Sequence, residues 1–378
     1  MSAPDARRPH GAAVGAPPAR PGPDARATAR LRAGVLGATG AVGQRFVQLL
    51  AGHPWFDLVA LAASERSAGK SYAEAVSWRL DVPLPAAAAG LPVRATEPGL
   101  ECDVVFSALD AAVAGPIEEA FAKAGYAVLS NARNHRMAED VPLLVPEINA
   151  DHAELIAVQK KRRGWKGFIA TNPNCSTATL TLALAPLDCR FGIKSVAVTT
   201  LQAVSGAGYP GIPSLDILGN VVPFIAGEEE KIERETRKIL GKRSGEGVTL
   251  HPMVVSAQTT RVPVVDGHTV SVFVSLDRKA DLEEVRDAFR TFSGPPQQLG
   301  LPSAPVHPTV LLDAPDRPQP RLDVNVERGM ATLVGRVRPC ELMGWKFIAL
   351  GHNTIRGAAG AAILNAELLK AKGLIPLA

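Results

Sequence analysis

From Leu31 onwards, short apolar runs alternate along the chain with amphipathic stretches. The apolar runs are LRAGVLG, DLVALAA, DVVFSAL and YAVLS, and the helix-like stretches include VGQRFVQLLAG and GPIEEAFAKAG. Such short apolar strands, connected by helices, are typical of a parallel sheet that is covered by helices on its faces. The first part of the chain is therefore predicted to fold as an α/β domain.

The second part of the chain has a different pattern. The whole chain has 378 residues, more than one hydrophobic core usually serves, so a second domain is expected. Beyond Cys175 the predicted strands SVAVTTLQ, TVSVFVSL, RLDVNVE and ATLVGRV are longer, and helices are predicted at EEEKIERETRKIL and LEEVRDAF. These patterns indicate a separate, mixed α+β domain.

The chain ends with a predicted helix, IRGAAGAAILNAELLKAKG, preceded by the candidate caps Asn353 and Thr354. Its small residues allow close packing, and we expect the helix to return to the first domain. The predicted domains are residues 31–173 with 351–378, and residues 174–350.

Composition narrows the possible partners. Residues 1–30 are rich in Pro, Ala, Gly and Arg, which predicts a disordered tail. An Arg-rich targeting peptide is the alternative, but Asp5, Asp24 and six prolines weaken it. The net charge of +4, partly due to the tail, does not favour nucleic acid. No apolar run is long enough for a membrane span or signal peptide, so a cytoplasmic protein without a membrane or nucleic-acid partner is expected.

Four cysteines lie far apart along the chain, at positions 102, 175, 189 and 340. None of them forms a C-x-x-C pair, which argues against a zinc site and against a dense disulfide framework. We therefore expect no metal site, and any cysteine with a special role is predicted to be a nucleophile.

A glycine-rich turn directly follows the first predicted strand and opens a helix. It comprises Gly37, Thr39, Gly40, Ala41, Val42 and Gly43 within GATGAVG. Glycines allow a sharp turn and a close approach to a pyrophosphate, which the free N–H groups of the helix can bind. The alternative is an ordinary strand–turn–helix junction, but strand, turn and helix in register favour a Rossmann-type dinucleotide site.

The end of the second predicted strand discriminates between cofactors. An acidic residue there binds a ribose 2′-hydroxyl, whereas a basic residue accommodates a 2′-phosphate. Arg66 can pair with that phosphate and the hydroxyls of Ser64 and Ser67 can donate to it, which favours NADP over NAD. Glu65 complicates this interpretation, and the alternative for Arg66 is a solvated loop arginine.

Cys175 lies in TNPNCST, after a strand-like segment and at the start of a predicted helix. A helix N-terminus lowers the pKa of a cysteine and offers N–H groups that can stabilise an oxyanion. This setting predicts a thiolate nucleophile. The alternative, a buried structural cysteine, is assigned instead to Cys102, Cys189 and Cys340.

These motifs together carry a resemblance to a known family. The chain from about Leu31 to its C-terminus resembles the aspartate-semialdehyde dehydrogenases, specifically their archaeal and fungal branch. The motifs are NPNCST, GATGAVG, SERSAGK, NHRM with VPLLVPEIN, LQAVSGAGYPG, GEEEKIERET, RVPVVDGH and HNTIRGAAGA. The resemblance implies NADPH-dependent reduction of L-aspartyl 4-phosphate to L-aspartate 4-semialdehyde, a step in lysine, threonine and methionine biosynthesis.

The resemblance also implies roles for single residues. Cys175 corresponds to the nucleophile, His268 to a general acid/base, and Gln202 to a residue that orients the substrate. For His268 the alternative is a turn histidine, and for the i,i+3 pair Glu228 and Lys231 it is ordinary helix decoration. The implied substrate contacts are Arg261 for the α-carboxylate, Glu228 for the ammonium, Lys231 and Arg136 for phosphate, and Asn174.

Further cofactor contacts are expected at Ser107, Ser205, Gly206 and Asn353. Within the run Glu228, Glu229 and Glu230, the assignment of the ammonium-binding residue stays open. One departure from the family pattern is Thr259 or Thr260 at a position that is often a second cysteine.

Other functions remain possible at this stage. A malonyl-CoA reductase uses the same fold and nucleophile, although Arg261, Glu228 and Lys231 suit a small amino-acid phosphate. N-acetylglutamyl phosphate is less suited, because an acetylated amine needs no ammonium-binding glutamate. A catalytically silent NADPH-binding protein is a further alternative, but Cys175 and His268 are both present. The resemblance implies a homodimer or a homotetramer.

Overall fold

The computed structural model describes residues 30–375. The predicted disordered tail therefore lies almost entirely outside the described residues. Within the described part, no helix is long and apolar enough to cross a membrane.

The first sheet has six parallel strands in the order β3-β2-β1-β4-β5-β6. This confirms the predicted α/β class. The order reverses between β1 and β4, and in such sheets ligands bind at the carboxyl ends of the strands beside this reversal. The strands are β1 Leu31–Leu36, β2 Phe56–Ala63, β3 Val93–Ala95, β4 Val104–Ser107, β5 Ala127–Ser130 and β6 Phe168–Thr171.

The second sheet also has six strands, but they are mixed in direction, which confirms the predicted α+β character. Their order is β10-β7-β11-β14-β13-β12, with parallel pairs only at the two edges. The strands are β7 Ile193–Gln202, β10 Val254–Arg261, β11 His268–Leu276, β12 Thr309–Leu312, β13 Thr332–Cys340 and β14 Gly344–Gly351, and a small hairpin pairs β8 Lys242–Ser244 with β9 Gly247–Thr249.

Helices cover both sheets, and the predicted helices at EEEKIERETRKIL and LEEVRDAF form as α9 and α10. The α-helices are α1 Ala41–Leu50, α2 Tyr72–Ala75, α3 Ala86–Ala89, α4 Ala111–Ala124, α5 Pro146–Asn149, α6 Leu155–Arg163, α7 Cys175–Phe191, α8 Ser214–Ile217, α9 Glu228–Ile239, α10 Leu282–Thr291, α11 Pro295–Gln298, α12 Pro320–Asp323 and α13 Gly360–Ala371.

Each sheet has its own hydrophobic core. Phe46 and Leu50 of α1 and Phe106 of β4 are buried in the first core, together with Ile363 and Leu369 of α13. The C-terminal helix thus packs on the first sheet, whereas α7 and α10 pack on the second. The domain boundaries given above stay a prediction.

The segment RLDVNVE is not the predicted strand. It forms α12 and a 3-10 turn over Val326–Gly329. The buried carboxylate of Asp323 accepts hydrogen bonds from Arg317 Nε and from the backbone N–H of Gln319, both at 2.6 Å. Glu327 and Arg328 then adopt positive φ values of 51° and 58°, which interrupt any extended strand.

The predicted caps of the C-terminal helix are confirmed only in position. This region begins with a π-helical turn, Ile355–Ala359, and Thr354 is its N-cap but makes no side-chain capping hydrogen bond. The amide of Asn353 is instead used in tertiary contacts, accepting from the N–H of Gly267 at 2.8 Å and donating to Ser205 Oγ at 2.7 Å.

A buried ion pair anchors the π-helical turn. Arg356 donates from Nη1 and Nη2 to the two carboxylate oxygens of Glu147 in α5, at 2.8 and 2.6 Å. Their side chains are 1% and 0% exposed. Because neither charge is solvated, each depends on the other for compensation.

We predict that Glu147→Gln lowers the free energy of unfolding by about 3–5 kcal/mol, since it leaves a buried guanidinium without its counterion. Denaturant titration measures this. The matched control is Glu139→Gln, which removes a surface pair with Arg162 whose glutamate side chain is 84% exposed and should cost less than about 1 kcal/mol. Equal losses in the two variants would contradict the prediction.

Candidate active site

The glycine-rich turn fits a dinucleotide phosphate. Gly37 has a φ of +74° and lies so close to β4 that a Cβ would approach the carbonyl oxygen of Ala108 to 2.7 Å. Gly40 is the N-cap of α1 and provides no side-chain cap. The first N–H groups of α1, at Ala41 and Val42, are thus left available for an anion. Thr39 lies in the same turn, and its carbonyl accepts from Gln44 Nε2 at 3.0 Å.

Gly43 closes this turn from inside the helix. A Cβ there would lie 2.1 Å from the carbonyl oxygen of Gly37, so helix and turn approach as only glycine allows.

The predicted 2′-phosphate residues lie at the same sheet edge. Ser64, Arg66 and Ser67 follow β2 directly in a partly exposed turn, and β2 is the neighbour of β1. Ser107 ends β4, on the other side of β1, where the strand order reverses. Its side chain is fully buried, and its carbonyl accepts from both nitrogens of Asn131 at 3.1 Å.

Cys175 and His268 lie 93 residues apart in the sequence and meet in the structure. Cys175 is the first residue of α7, and His268 is the first residue of β11. Nε2 of His268 lies 3.1 Å from Sγ of Cys175. Nδ1 accepts from the backbone N–H of Ala203 at 3.1 Å, which fixes the orientation of the ring. His268 is therefore not a simple turn histidine.

The electrostatics of this pair differ from the prediction. Burial, followed by the carboxylate of Glu228, raises the pKa of the Cys175 thiol to about 12, although Arg136, Arg261 and the Ser176 N–H oppose this. Burial, followed by Arg261, lowers the pKa of His268 to about 3. The helix N-terminus alone does not produce a thiolate here, so the predicted lowering of the cysteine pKa is wrong for the free enzyme.

Glu228 is the centre of a polar cluster beside Cys175. Its Oε1 accepts from Asn174 Nδ2 at 2.6 Å and from Gln202 Nε2 at 3.1 Å, and its Oε2 accepts from Lys231 at 3.0 Å. Burial is the largest influence and opposes ionisation, but these three donors outweigh it and lower the pKa of Glu228. Glu228 thus stays ionised.

The structure separates the three glutamates of this helix. Glu228 is buried toward Cys175, and Glu229 accepts from the backbone N–H of Thr259 at 3.0 Å. Glu230 is exposed. Of the three, Glu228 has the position that a substrate-binding residue needs.

Arg136 and Arg261 are both buried beside this cluster. Nη1 of Arg136 donates to Glu235 at 3.0 Å and Nη2 donates to the carbonyl of Asn131 at 2.7 Å. Nη1 of Arg261 donates to the carbonyl of Ala203 at 2.8 Å. Arg261 also faces a cleft of about 520 Å³ lined by residues of the segment 207–225.

The loop after β7 brings Ser205 and Gly206 to the same place. A Cβ on Gly206 would lie 3.0 Å from Nη1 of Arg261 and 3.0 Å from Cε1 of His268. Ser205 Oγ accepts a hydrogen bond from Asn353 Nδ2. The side-chain Oδ1 of Asn353 accepts from the backbone N–H of Gly267, next to His268. Asn353 therefore connects this loop with the histidine.

Sequence reasoning missed three residues of the site. Glu235 contacts Arg136 and the N–H of Asn174, Lys238 holds the loop that carries Arg136, and Gly357 packs on Cys175. The signal for the first two was their spacing, because positions 228, 231, 235 and 238 share one face of a helix. Nothing local pointed to Gly357.

The other three cysteines are free, like Cys175. Cys102 and Cys340 are partly buried, and Cys189 is exposed, so a buried structural role is wrong for Cys189. In residues 30–375 no group of three or more His, Cys, Asp or Glu side chains could hold a metal ion.

A sheet of the dinucleotide-binding type beside a cysteine–histidine pair is the arrangement of a nicotinamide-dependent dehydrogenase. Residues 32–156 match the family model described as semialdehyde dehydrogenase, NAD binding domain. Residues 184–356 match the model described as semialdehyde dehydrogenase, dimerisation domain.

Curated relatives agree over nearly the whole chain. The aspartate-semialdehyde dehydrogenase of Archaeoglobus fulgidus is 52% identical over 90% of this chain and 98% of its own length. That of Cryptococcus neoformans is 51% identical over 92% of this chain and 98% of its own length. The chain belongs to the aspartate-semialdehyde dehydrogenase family, as its motifs predict.

Solved structures agree as well. The Candida albicans aspartate-semialdehyde dehydrogenase with NADP is 47% identical and superposes with a TM-score of 0.85, covering 92% of this chain and 100% of that one. A Vibrio cholerae aspartate-semialdehyde dehydrogenase II complexed with ASA is 27% identical, with a TM-score of 0.72 over 90% of this chain and 98% of that one.

We predict that Gly357→Ala lowers kcat by about 100-fold, because small displacements of a reacting group have effects of this size. A Cβ at this position would lie 2.6 Å from Cβ and 3.0 Å from Cα of Cys175, so the nucleophile or the π-helical turn must move. Steady-state turnover measures the effect. The control Gly90→Ala, with nothing within 4 Å of the added Cβ, should retain normal turnover; an equally active Gly357→Ala enzyme would contradict the prediction.

A second prediction concerns pH. A thiol pKa of about 12 and an imidazole pKa of about 3 leave both groups neutral between these values. The rate of Cys175 alkylation by iodoacetamide should therefore rise about tenfold per pH unit from about pH 7 to about pH 9. Peptide mass spectrometry measures it, with the exposed Cys189 as internal reference. A rate that is already constant below about pH 7 would show a thiolate–imidazolium pair instead.

Proposed function

We propose that the protein catalyses the NADPH-dependent reductive dephosphorylation of L-aspartyl 4-phosphate to L-aspartate 4-semialdehyde. The observation that carries this proposal is the contact of 3.1 Å between Cys175 Sγ and His268 Nε2, beside the buried charges of Glu228, Arg136 and Arg261. The names of the relatives agree with it.

The cofactor is NADP, which is named in the matched Candida albicans structure. When bound, it supplies the hydride. The turn from Gly37 to Gly43 would hold its pyrophosphate, and Arg66 with Ser64 and Ser67 would hold the 2′-phosphate. Ser107, Ser205, Gly206 and Asn353 would line the remainder of the site.

Four charged residues would bind the charged groups of the substrate. Glu228 is ionised and would bind the substrate ammonium, while Arg261 would bind the α-carboxylate in a bidentate manner. Lys231 and Arg136 would hold the phosphate. Asn174 and Gln202 both donate to Glu228 and would keep it oriented as substrate enters.

The proposed reaction passes through a thioester on Cys175. Sγ attacks the acyl carbon, and the S–C bond forms as the C–O bond to phosphate breaks, so the thiol proton leaves with the phosphate, which Arg136 and Lys231 hold. The N–H of Cys175 stabilises the oxyanion, because Asn174 already accepts from the next two N–H groups of α7. After the carbonyl carbon is reduced, the S–C bond breaks as the aldehyde forms. Nε2–H of His268, whose Nδ1 accepts from Ala203, donates a hydrogen bond to the departing Sγ, which then takes its proton from water.

The charges favour this substrate over the alternatives. A coenzyme A thioester has no ammonium for Glu228, and an acetylated amine has no charge to pair with it. In the free protein Lys231 compensates the charge of Glu228. When Lys231 binds the phosphate, the buried carboxylate needs another cation, so Glu228 selects for a free amino group.

We propose that the protein acts as a homodimer or a homotetramer in the cytoplasm. Leu215, Leu218, Val221 and Phe224 form an exposed apolar surface with 91%, 67%, 54% and 70% exposure. This surface lies within the part matched by the dimerisation-domain model. Exposed apolar clusters of this kind are typical of protein interfaces.

The test follows NADPH formation from aspartate semialdehyde, phosphate and NADP. We expect phosphate-dependent turnover, a preference for NADP over NAD, and a loss of at least about 1,000-fold in Cys175→Ser, because a serine hydroxyl is a much weaker nucleophile at neutral pH. A parallel assay uses malonyl-CoA and NADPH. Reduction of malonyl-CoA alone, or full activity of Cys175→Ser, would overturn the proposal.

A further inference from the structure

Helix α9 carries a second carboxylate that faces the site, two helical turns beyond Glu228. Glu235 is 2% exposed. Its Oε1 accepts from Arg136 Nη1 at 3.0 Å, and its Oε2 accepts from the backbone N–H of Asn174 at 2.6 Å. One carboxylate therefore bridges an arginine of the site and the residue that precedes Cys175.

We propose that Glu235 is a positioning residue for phosphate, which it controls by fixing Arg136 relative to the turn that carries Cys175. The inference rests on the proposed function, in which Arg136 binds the phosphate group. Glu235 does not contact the substrate itself. It sets the distance between the phosphate-binding guanidinium and the attacking sulfur.

The hydrogen-bonding chemistry explains why a carboxylate is needed at this position. Both neighbours of Glu235 are donors, and a carboxylate offers an acceptor oxygen to each. A glutamine of the same shape has one acceptor and one donor, so either Arg136 or the Asn174 N–H would face an NH₂ group. The isosteric amide therefore cannot preserve both contacts.

Lys238 gives independent support, because it holds the same loop from the next turn of the helix. Its buried Nζ donates to the carbonyls of Arg136, Ala138 and Val141 at 2.8, 2.8 and 2.9 Å. Helix α9 thus holds Arg136 twice, by its guanidinium through Glu235 and by its backbone through Lys238.

The remaining contacts of Arg136 leave little freedom to the guanidinium. Nη2 donates to the carbonyl of Asn131 at 2.7 Å, so both terminal nitrogens have fixed partners. Their other hydrogens can still serve an anion. A guanidinium held in this way loses little conformational entropy when phosphate binds.

The experiment measures kcat/KM for phosphate in the semialdehyde assay. We expect Glu235→Gln to lower it about tenfold, as for loss of one hydrogen bond to a charged group, with the KM for NADP within about twofold of wild type. Glu235→Asp keeps the charge, so its kcat/KM for phosphate should lie between the values of wild type and Glu235→Gln. Glu230→Gln, exposed on the same helix, should change it less than about twofold.

A double variant separates positioning from a merely structural role. If Glu235 acts through Arg136, then Arg136→Ala with Glu235→Gln should lie within about twofold of Arg136→Ala alone. Losses that multiply, or a KM for NADP that rises as much as that for phosphate, would overturn the inference.

Two further outcomes are distinguishable. Should Glu235→Gln fail to fold, the same cycle with Glu235→Asp tests the coupling. A wild-type enzyme without phosphate-dependent turnover would remove the proposed function and this inference with it, whereas an active wild type with multiplicative losses removes the inference alone.

Discussion

The burial of the first turn of α7 is the constraint on which the rest of the site depends. A helix N-terminus has N–H groups without intrahelical partners, and these must be satisfied when the turn is buried. Asn174 accepts from the N–H groups of Ser176 and Thr177, and Glu235 accepts from the N–H of Asn174 itself. The same residues that satisfy the backbone also fix the position of Cys175.

Two internal ion pairs lie around this turn, Glu228 with Lys231 and Glu235 with Arg136. Pairing stabilises buried charges while no substrate is bound. A substrate with an ammonium and a phosphate presents the same two charges in one molecule, so it can replace the contact between Glu228 and Lys231 without leaving either unpaired. The pair with Glu235 lies behind Arg136 and stays intact, which gives the two glutamates different tasks on one helix face.

The sequence predicted the architecture well because its signals are local. Apolar runs, glycines at a strand–helix junction and amphipathic helices each depend on a few neighbouring residues, as β1, Gly37 and α9 show. It failed where side-chain contacts from outside the pattern decide the local structure. RLDVNVE has the alternation of a strand, but Arg317 and Gln319 bind Asp323 and form a helical turn. Likewise Asn353 has the character of a cap, yet Gly267 and Ser205 use its amide.

The pKa of Cys175 shows the same limit and has a mechanistic consequence. The helix N-terminus, Arg136 and Arg261 all favour a thiolate, but burial and the nearby Glu228 outweigh them. Binding of an ammonium at Glu228 would neutralise the carboxylate that opposes ionisation, and a phosphate would compensate the arginines that lower the pKa of nearby groups. Substrate binding therefore has two opposite effects on the pKa of Cys175. Because the Cys175 thiol is protonated and His268 is neutral in the free enzyme, the proton leaves Sγ only as the S–C bond forms. No free thiolate is therefore exposed to oxidants between turnovers.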